Sequence, residues 1–287
     1  MRHALVFGAT GQIGFPLLGL LQGAGWRVTA LSRAEQSDEP GLEWLRGELP
    51  TAQGLPTRVD TIFSCGPLDG FASWYARSTI DCARVIAFGS TSVEVKRGSA
   101  DAEERDVARR LREGEETVFA TTAKRGATAT LLRPTLIYGA GRDATLTRIA
   151  QLASRWGRFP LPRDAKGLRQ PVHADDLAAA AFACAGTPAT QGQTYALPGG
   201  ETLTYRGMVA GVLACLTPPP ALVELPSPMF NAALFLAQLT GRATGLGEAA
   251  VRRMRSDLTF DIDPARRDFG YAPRAFHPRA QMFQPRT

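Results

Sequence analysis

Lysine is nearly absent from this chain: of its 33 basic residues, thirty are Arg and three are Lys. Histidine occurs three times and cysteine four times. Cys65, Cys82, Cys184 and Cys215 lie far apart and form no CxxC pair. With so few histidines beside them, they offer no metal-ligand spacing. Buried free thiols in a reducing cytoplasm are the expectation. No apolar run approaches the roughly 20 residues of a membrane-spanning helix. The chain opens on a strand-like run rather than a basic-plus-apolar leader, so no signal peptide is expected. Acidic residues number 27, which leaves a net charge of +6. The Arg residues are scattered and interleaved with acids, as from Arg105 to Glu116, and no aromatic-plus-basic stripe accompanies them. That pattern argues against nucleic acid and for solvated faces and anionic small molecules.

What is present begins at the first residues. Arg2–Phe7 is a short apolar run, Gly8-Ala9-Thr10-Gly11-Gln12-Ile13-Gly14 follows at once, and Phe15–Leu21 reads as a helix start. Strand, glycine turn and helix form the first half of a dinucleotide-binding βαβ unit. Gly8 permits the tight turn, Gly11 lets the backbone approach a pyrophosphate, and Gly14 lets the helix pack on the strand. Thr10, Gln12 and Ile13 complete the turn, and the helix N-terminus offers N–H groups to the phosphates. A second strand, Gly25–Leu31, ends in Ser32 and Arg33. An acid there would bond a ribose 2′-hydroxyl, whereas an Arg pairs with a 2′-phosphate. Arg33 therefore predicts NADP(H) over NAD(H).

Further strands are expected at Leu42–Leu49, Val59–Cys65, Arg84–Phe88 and Thr128–Leu132, with a long helix over Asp101–Lys124. Asp101 and Glu104 suit a capping box, and Val107, Leu111 and Val118 suit one buried stripe. Strands alternating with helices predict an α/β fold: a Rossmann-type doubly wound parallel sheet with a small C-terminal substrate-binding lobe. Residues 1–139 form the dinucleotide-binding core; residues 140–287 complete the sheet and build the lobe. Ligands bind at the carboxyl ends of such strands. Cys65, Gly66, Pro67 and Pro134 thus join the cofactor set, and Gly89–Ser92 and Pro134–Tyr138 face the same crevice. In the second half, Ala144–Trp156 reads as helix, Phe159–Pro162 as an irregular turn, and Asp175-Asp176 as a helix start. Gln193–Leu197 and Val223–Pro226 read as strands. Met229–Leu246 reads as an apolar helix that covers a substrate pocket or makes a homodimer contact.

These segments together resemble the short-chain dehydrogenase/reductase superfamily. The downstream ones resemble its extended branch, the NAD-dependent epimerase/dehydratase family. Val59-Asp60 through Cys65-Gly66-Pro67 is similar to its fourth strand, on the adenine side. Phe88–Val93 resembles the fifth strand with its active-site Ser, here Ser90. Leu132–Gly139 resembles the arginine-to-tyrosine-glycine stretch after the sixth strand. Arg169 through His173-Ala174-Asp175-Asp176-Leu177 resembles the segment in which an Arg contacts substrate diphosphate. Asp261–Ala265 and Phe269–Pro273 resemble the C-terminal signature.

The resemblance implies a Tyr-x-x-x-Lys acid/base pair at the start of the long helix, and that helix contains no Tyr. Arg109, Arg110 and Arg112 lie near the Lys position, but an Arg does not replace a phenol. Leu136 stands where nucleotide-sugar members carry an Asn. The candidate catalytic groups are therefore Ser90, Tyr138 and Lys96. Glu94 is a further proton shuttle, while Ser92, Arg169 and His173 would contact substrate. Each has a plainer reading: Tyr138 as packing, Lys96 as a loop cation, His173 as a turn cap, Ser90 as a strand-end hydroxyl. Two functions stay open. One is a cytoplasmic NAD(P)-binding oxidoreductase or epimerase/dehydratase-like enzyme with a degenerate site. The other is a dinucleotide-binding sensor or assembly protein without turnover.

Overall fold

Leu5, Val6, Phe7, Val28, Ala30, Ile62, Phe63, Val85, Ile86, Leu131 and Leu132 are all fully buried. Such short apolar runs, covered on both sides, are what a parallel sheet requires. A computed structural model describes residues 1–143, 145–239 and 248–284. The first half of the chain runs β1 (His3–Phe7), α1 (Gly14–Gly23), β2 (Arg27–Ser32), β3 (Leu42–Arg46), β4 (Arg58–Ser64), α2 (Leu68–Arg77), β5 (Asp81–Phe88), α3 (Ser92–Val95), α4 (Ala102–Lys124) and β6 (Thr128–Pro134). Next come β7 (Ile137–Tyr138), α5 (Leu146–Trp156), β8 (Arg158–Pro162), β9 (Leu168–Arg169), β10 (Val172–His173), α6 (Ala174–Gly186) and β11 (Thr194–Leu197). The last elements are β12 (Leu203–Thr204), α7 (Tyr205–Ala214), β13 (Ala221–Leu225), α8 (Ser227–Leu239), α9 (Glu248–Arg253) and α10 (Asp263–Phe269).

Seven strands form one sheet in the order β3-β2-β1-β4-β5-β6-β11, and every neighbouring pair is parallel. The order reverses between β1 and β4, the place where doubly wound sheets bind ligands. Leu17, Leu18 and Leu21 of α1 and Leu177, Ala178 and Ala181 of α6 cover one face. Phe71, Trp74 and Tyr75 of α2 and Val118 of α4 cover the other. A third cluster joins α5, α7 and β8 into the C-terminal lobe. Inside the sheet, the buried Arg84 guanidinium donates to Thr130 Oγ1 at 2.6 Å, Thr190 Oγ1 at 2.5 Å and the Cys184 carbonyl. Among the described residues no helix is long and apolar enough to cross a membrane.

Several local expectations change. Asp101 caps α4 by accepting from Glu103 N at 2.9 Å. The reciprocal half of the capping box is missing, because Glu104 bonds Ser99 Oγ and pairs with Arg253. The buried face of α4 carries Ala108, Glu115, Val118 and Thr122, while Val107 and Leu111 are half-buried. Phe159–Pro162 is strand rather than turn: β8 pairs with β13 in parallel, and a two-stranded edge tolerates its prolines. α8 covers the first part of Met229–Leu246; residues 240–246 lie outside the described residues. Met229, Phe235 and Leu236 on α8 are exposed.

α5 starts on one side chain. The Asp143 carboxylate accepts from Thr145 N at 3.1 Å, Leu146 N at 2.5 Å and Thr147 N at 3.0 Å. Helix starts leave such N–H groups without intrahelical partners. Asp143→Ala should therefore cost about 1 kcal/mol, with Asn restoring most of it. Urea midpoints of the two variants check this.

Candidate functional site

The glycine turn closes upon itself at the carboxyl end of β1. Gly8 has φ +70°, and a Cβ there would lie 2.7 Å from the Cys65 carbonyl carbon. A Cβ on Gly14 would lie 2.2 Å from the Gly8 carbonyl oxygen, and one on Gly11 2.9 Å from the same atom. Gly11 is thus required first by the turn itself, before any ligand approaches. Gly11 N donates to the Gly8 carbonyl at 2.9 Å, and Phe15 N donates to the Gly11 carbonyl at 3.1 Å. Ile13 is buried in the core beside α1. Gln12 Oε1 is buried and has no hydrogen-bond partner. A buried orphan acceptor is costly unless something donates to it, and here it sits at the mouth of a backbone cradle. From the lobe, Arg142 Nη1 donates to the Thr10 carbonyl at 2.5 Å.

Ser32 is buried at the end of β2, and its Oγ accepts from Ala34 N at 3.2 Å. Arg33 is exposed next to it and makes no hydrogen bond or ion pair among the described residues. Cys65 ends β4, and burial pushes its thiol up to about 12, so it stays protonated. Gly66 follows, and Pro67 opens α2. The cradle, the orphan amide and the unengaged cation at the β2 end suit a nicotinamide dinucleotide with its phosphates on α1. Among the described residues no group of His, Cys, Asp or Glu could hold a metal ion.

On the same edge of the sheet, β5 and β6 lead into a cavity of about 380 Å³. Ser90, Ser92, Lys96 and Arg169 all line it. The two strand ends are fastened together. Thr91 N and Thr91 Oγ1 both donate to the Pro134 carbonyl, at 3.2 and 3.1 Å. Ser92 N donates to Ser90 Oγ at 3.1 Å, which fixes that hydroxyl and leaves its proton available. Arg133 spans from β6 to two helices. It donates to Glu115 Oε1 at 2.8 Å and Oε2 at 2.5 Å, and to Glu94 Oε1 at 2.7 Å. The Glu115 carboxylate holds the guanidinium pKa above its ordinary value. Glu94 is engaged in this ion pair and is not among the residues lining the cavity.

Two candidate residues stand elsewhere. Tyr138 does not border the crevice: it is 1% exposed, with the rings of His173 and Phe276 edge-on at 5.1 and 5.0 Å. Burial pushes its phenol pKa up, and it bonds the His277 backbone. His173 is 3% exposed, and its Nδ1 accepts from Asp175 N at 3.2 Å as the cap of α6. A Cβ on Gly139 would lie 2.4 Å from His173 Nε2, so that ring fills a space the glycine leaves. Both belong to the joint between sheet and lobe, and neither lines the cavity. Arg109 and Arg110 pair with Asp106, Glu113 and Asp69 on the exposed side of α4.

The cavity also holds residues that the linear pattern gave no reason to select. Tyr205 opens α7 with its phenol in the lining, and the Arg169 guanidinium lies 5.3 Å from its ring centre. Burial raises the Tyr205 pKa. Arg148 of α5 and Arg253 of α9 reach the same space from the lobe. Thr204 precedes Tyr205 and caps α7, its hydroxyl accepting from Gly207 N at 3.0 Å.

Sheet order, glycine turn and C-terminal lobe define a Rossmann-type fold, one shared with solved epimerase and R-domain structures. Comparisons with known proteins agree. No protein-family model matches the chain. The 2-alkyl-3-oxoalkanoate reductase of Stenotrophomonas maltophilia is 31% identical over 156 residues, covering 50% of this chain and 46% of that protein. The chain thus spans about half the length of the curated relatives it matches. The terminal R domain of the myxalamid biosynthetic pathway superposes with a TM-score of 0.73 at 19% identity, over 96% of this chain and 87% of that one. UDP-glucuronic acid 4-epimerase from Bacillus cereus, in complex with UDP-glucuronic acid and NAD, gives 0.66 at 14% identity, over 96% and 95%.

Proposed function

We propose that this protein is an NAD(P)-dependent oxidoreductase that prefers NADP(H) and acts on a carbonyl or alcohol carbon. The observation that carries this reading is the juxtaposition of two features on one sheet edge. A glycine cradle sits at the β1/β4 switch point, and a cavity with Ser90 and Lys96 begins at the adjacent β5 end. A nicotinamide dinucleotide held by the Gly8–Gly14 turn would supply or accept the hydride. Ser90 Oγ, oriented by Ser92 N, donates a hydrogen bond to the substrate oxygen. The Lys96 ammonium gives that oxygen its proton on reduction, and in the oxidation direction its neutral amine takes the proton back. Arg33 pairs with a 2′-phosphate. The name of the Stenotrophomonas relative, a reductase, supports carbonyl chemistry.

Calorimetric titration with NADPH, NADP⁺, NADH and NAD⁺ tests the cofactor assignment. NADPH should bind tighter than NADH. Arg33→Ala should weaken NADPH by roughly tenfold to a hundredfold, the worth of a charge-assisted hydrogen bond, and leave NADH unchanged. Equal loss for both dinucleotides would sink the preference for the 2′-phosphate. A second reading, tight dinucleotide binding without turnover, is favoured by the absence of any Tyr from α4. A panel of ketones and aldehydes with NADPH separates the two, through oxidation of the dinucleotide that Ser90→Ala suppresses.

A further inference from the structure

The walls of the cavity are of two kinds. Leu136, Ile149, Leu152, Phe159, Met254 and Phe260 supply apolar surface. Lys96, Arg148, Arg169 and Arg253 supply four basic side chains, and no Asp, Glu or Asn lines the space among the described residues. Arg169 is 6% exposed. Its guanidinium donates to the Leu168 carbonyl at 2.6 Å, the Ser256 carbonyl at 2.8 Å and the Arg253 carbonyl. No carboxylate pairs with it among the described residues. Carbonyls satisfy its N–H groups, while Asp257 acts on its charge only from outside ion-pair distance, and a buried charge without a close partner is costly. Arg253 has a counter-ion in Glu104, which is itself outside the lining.

The neutral polar groups point the same way. A nucleotide sugar brings many hydroxyls, each needing a partner when water is excluded. The one amide in the lining, Gln170, is already spent at both ends. Its Nε2 donates to Thr202 Oγ1 at 3.2 Å, and its Oε1 accepts from Phe260 N at 2.8 Å. The Thr135 hydroxyl donates to the Gln170 carbonyl. The hydroxyls of Ser90, Ser92, Thr145 and Tyr205 are the neutral polar groups left in the lining. Much remains to hold an apolar chain with one anionic end.

We propose that this cavity binds an aliphatic carboxylate, its head between Arg148 and Arg169 and its chain along Leu136, Ile149, Leu152 and Phe159. As a substrate class this rests on the oxidoreductase reading above, with the reacting carbon of the chain near Ser90. As a binding site it stands on the lining alone.

The test is displacement of a fluorescent fatty acid from the full-length chain, with and without NADPH, by butyrate, octanoate, decanoate, decanol and UDP-glucose. Decanoate should displace the probe, and affinity should rise up to about fourfold per methylene from butyrate upward. Decanol should be at least tenfold weaker than decanoate, and UDP-glucose should not compete. Arg148→Ala should weaken decanoate and leave decanol unchanged. Arg169 also holds the wall together, so its substitution is replaced by Leu152→Glu, which puts a like charge and a polar group on the chain path. That variant should abolish decanoate binding while keeping NADPH binding. Decanol equal to decanoate, or competition by UDP-glucose alone, would overturn the proposal. The two assignments fail separately. Decanoate binding without dinucleotide binding supports the cavity and sinks the oxidoreductase, and the converse sinks the cavity assignment alone.

Discussion

Gly14→Ala is expected to abolish measurable dinucleotide binding and to cost about 3 kcal/mol of stability, at the upper end for overpacked sites. The added Cβ would meet the Gly8 carbonyl oxygen at 2.2 Å and the Ala9 Cα at 2.7 Å. Both are backbone atoms, so no rotamer change relieves the contact. Either α1 backs away, which loosens Leu17, Leu18 and Leu21 from the sheet, or the turn opens, which destroys the cradle. Gly19 in the same helix is the control. It is exposed, and nothing lies within 4 Å of a Cβ there. Gly19→Ala should therefore stabilise the protein by up to about 1 kcal/mol through helix propensity. Urea denaturation together with NADPH titration reads both. Wild-type affinity in Gly14→Ala would show that the cradle is not the dinucleotide site.

Glu115→Ala should be the second large effect, about 3 kcal/mol. The Glu115 side chain is 7% exposed and that of Arg133 21%. Removing the carboxylate leaves the guanidinium with exposed Glu94 as its remaining acid. The consequence extends to the site. Arg133 belongs to β6, and the next carbonyl, that of Pro134, holds Thr91 beside Ser90. Glu115→Gln keeps the shape and part of the hydrogen bonding, and it should recover a substantial share. Arg109→Ala breaks an exposed pair on the same helix and should leave the denaturation midpoint almost unmoved. A loss below about 1 kcal/mol in Glu115→Ala would mean that the pair does not organise this corner.

The legible parts of this protein were local in sequence. The glycine turn lies within seven consecutive residues, and its requirements are steric, so letters and spacing suffice. Strand runs such as Val28–Leu31 were legible because both faces are buried. Tyr138 and His173 take the plainer of their two readings, packing and turn cap, because chain position near a strand end does not fix side-chain direction. In β7 and β10 they pair side by side and face the lobe joint. Tyr205, Arg148 and Arg253 were invisible because three separate helices bring them together. The helix α2 was passed over, since Gly70 breaks its pattern and its apolar face, Phe71, Trp74 and Tyr75, is crowded into a few residues.

The hub around Arg84 bears on how the chain is made. Its partners Cys184 and Thr190 lie 100 and 106 residues downstream, and β11 seals the edge of β6 through Thr194–Leu197. During synthesis six strands of the sheet leave the ribosome well before the seventh. Until then β6 is an open edge carrying Leu131 and Leu132, the kind of strand that recruits foreign partners. Arg84 meanwhile waits in the sheet with Thr128 and Thr130 alone. Until that last strand arrives, the β6 edge lacks the partner that Thr194–Leu197 later supply.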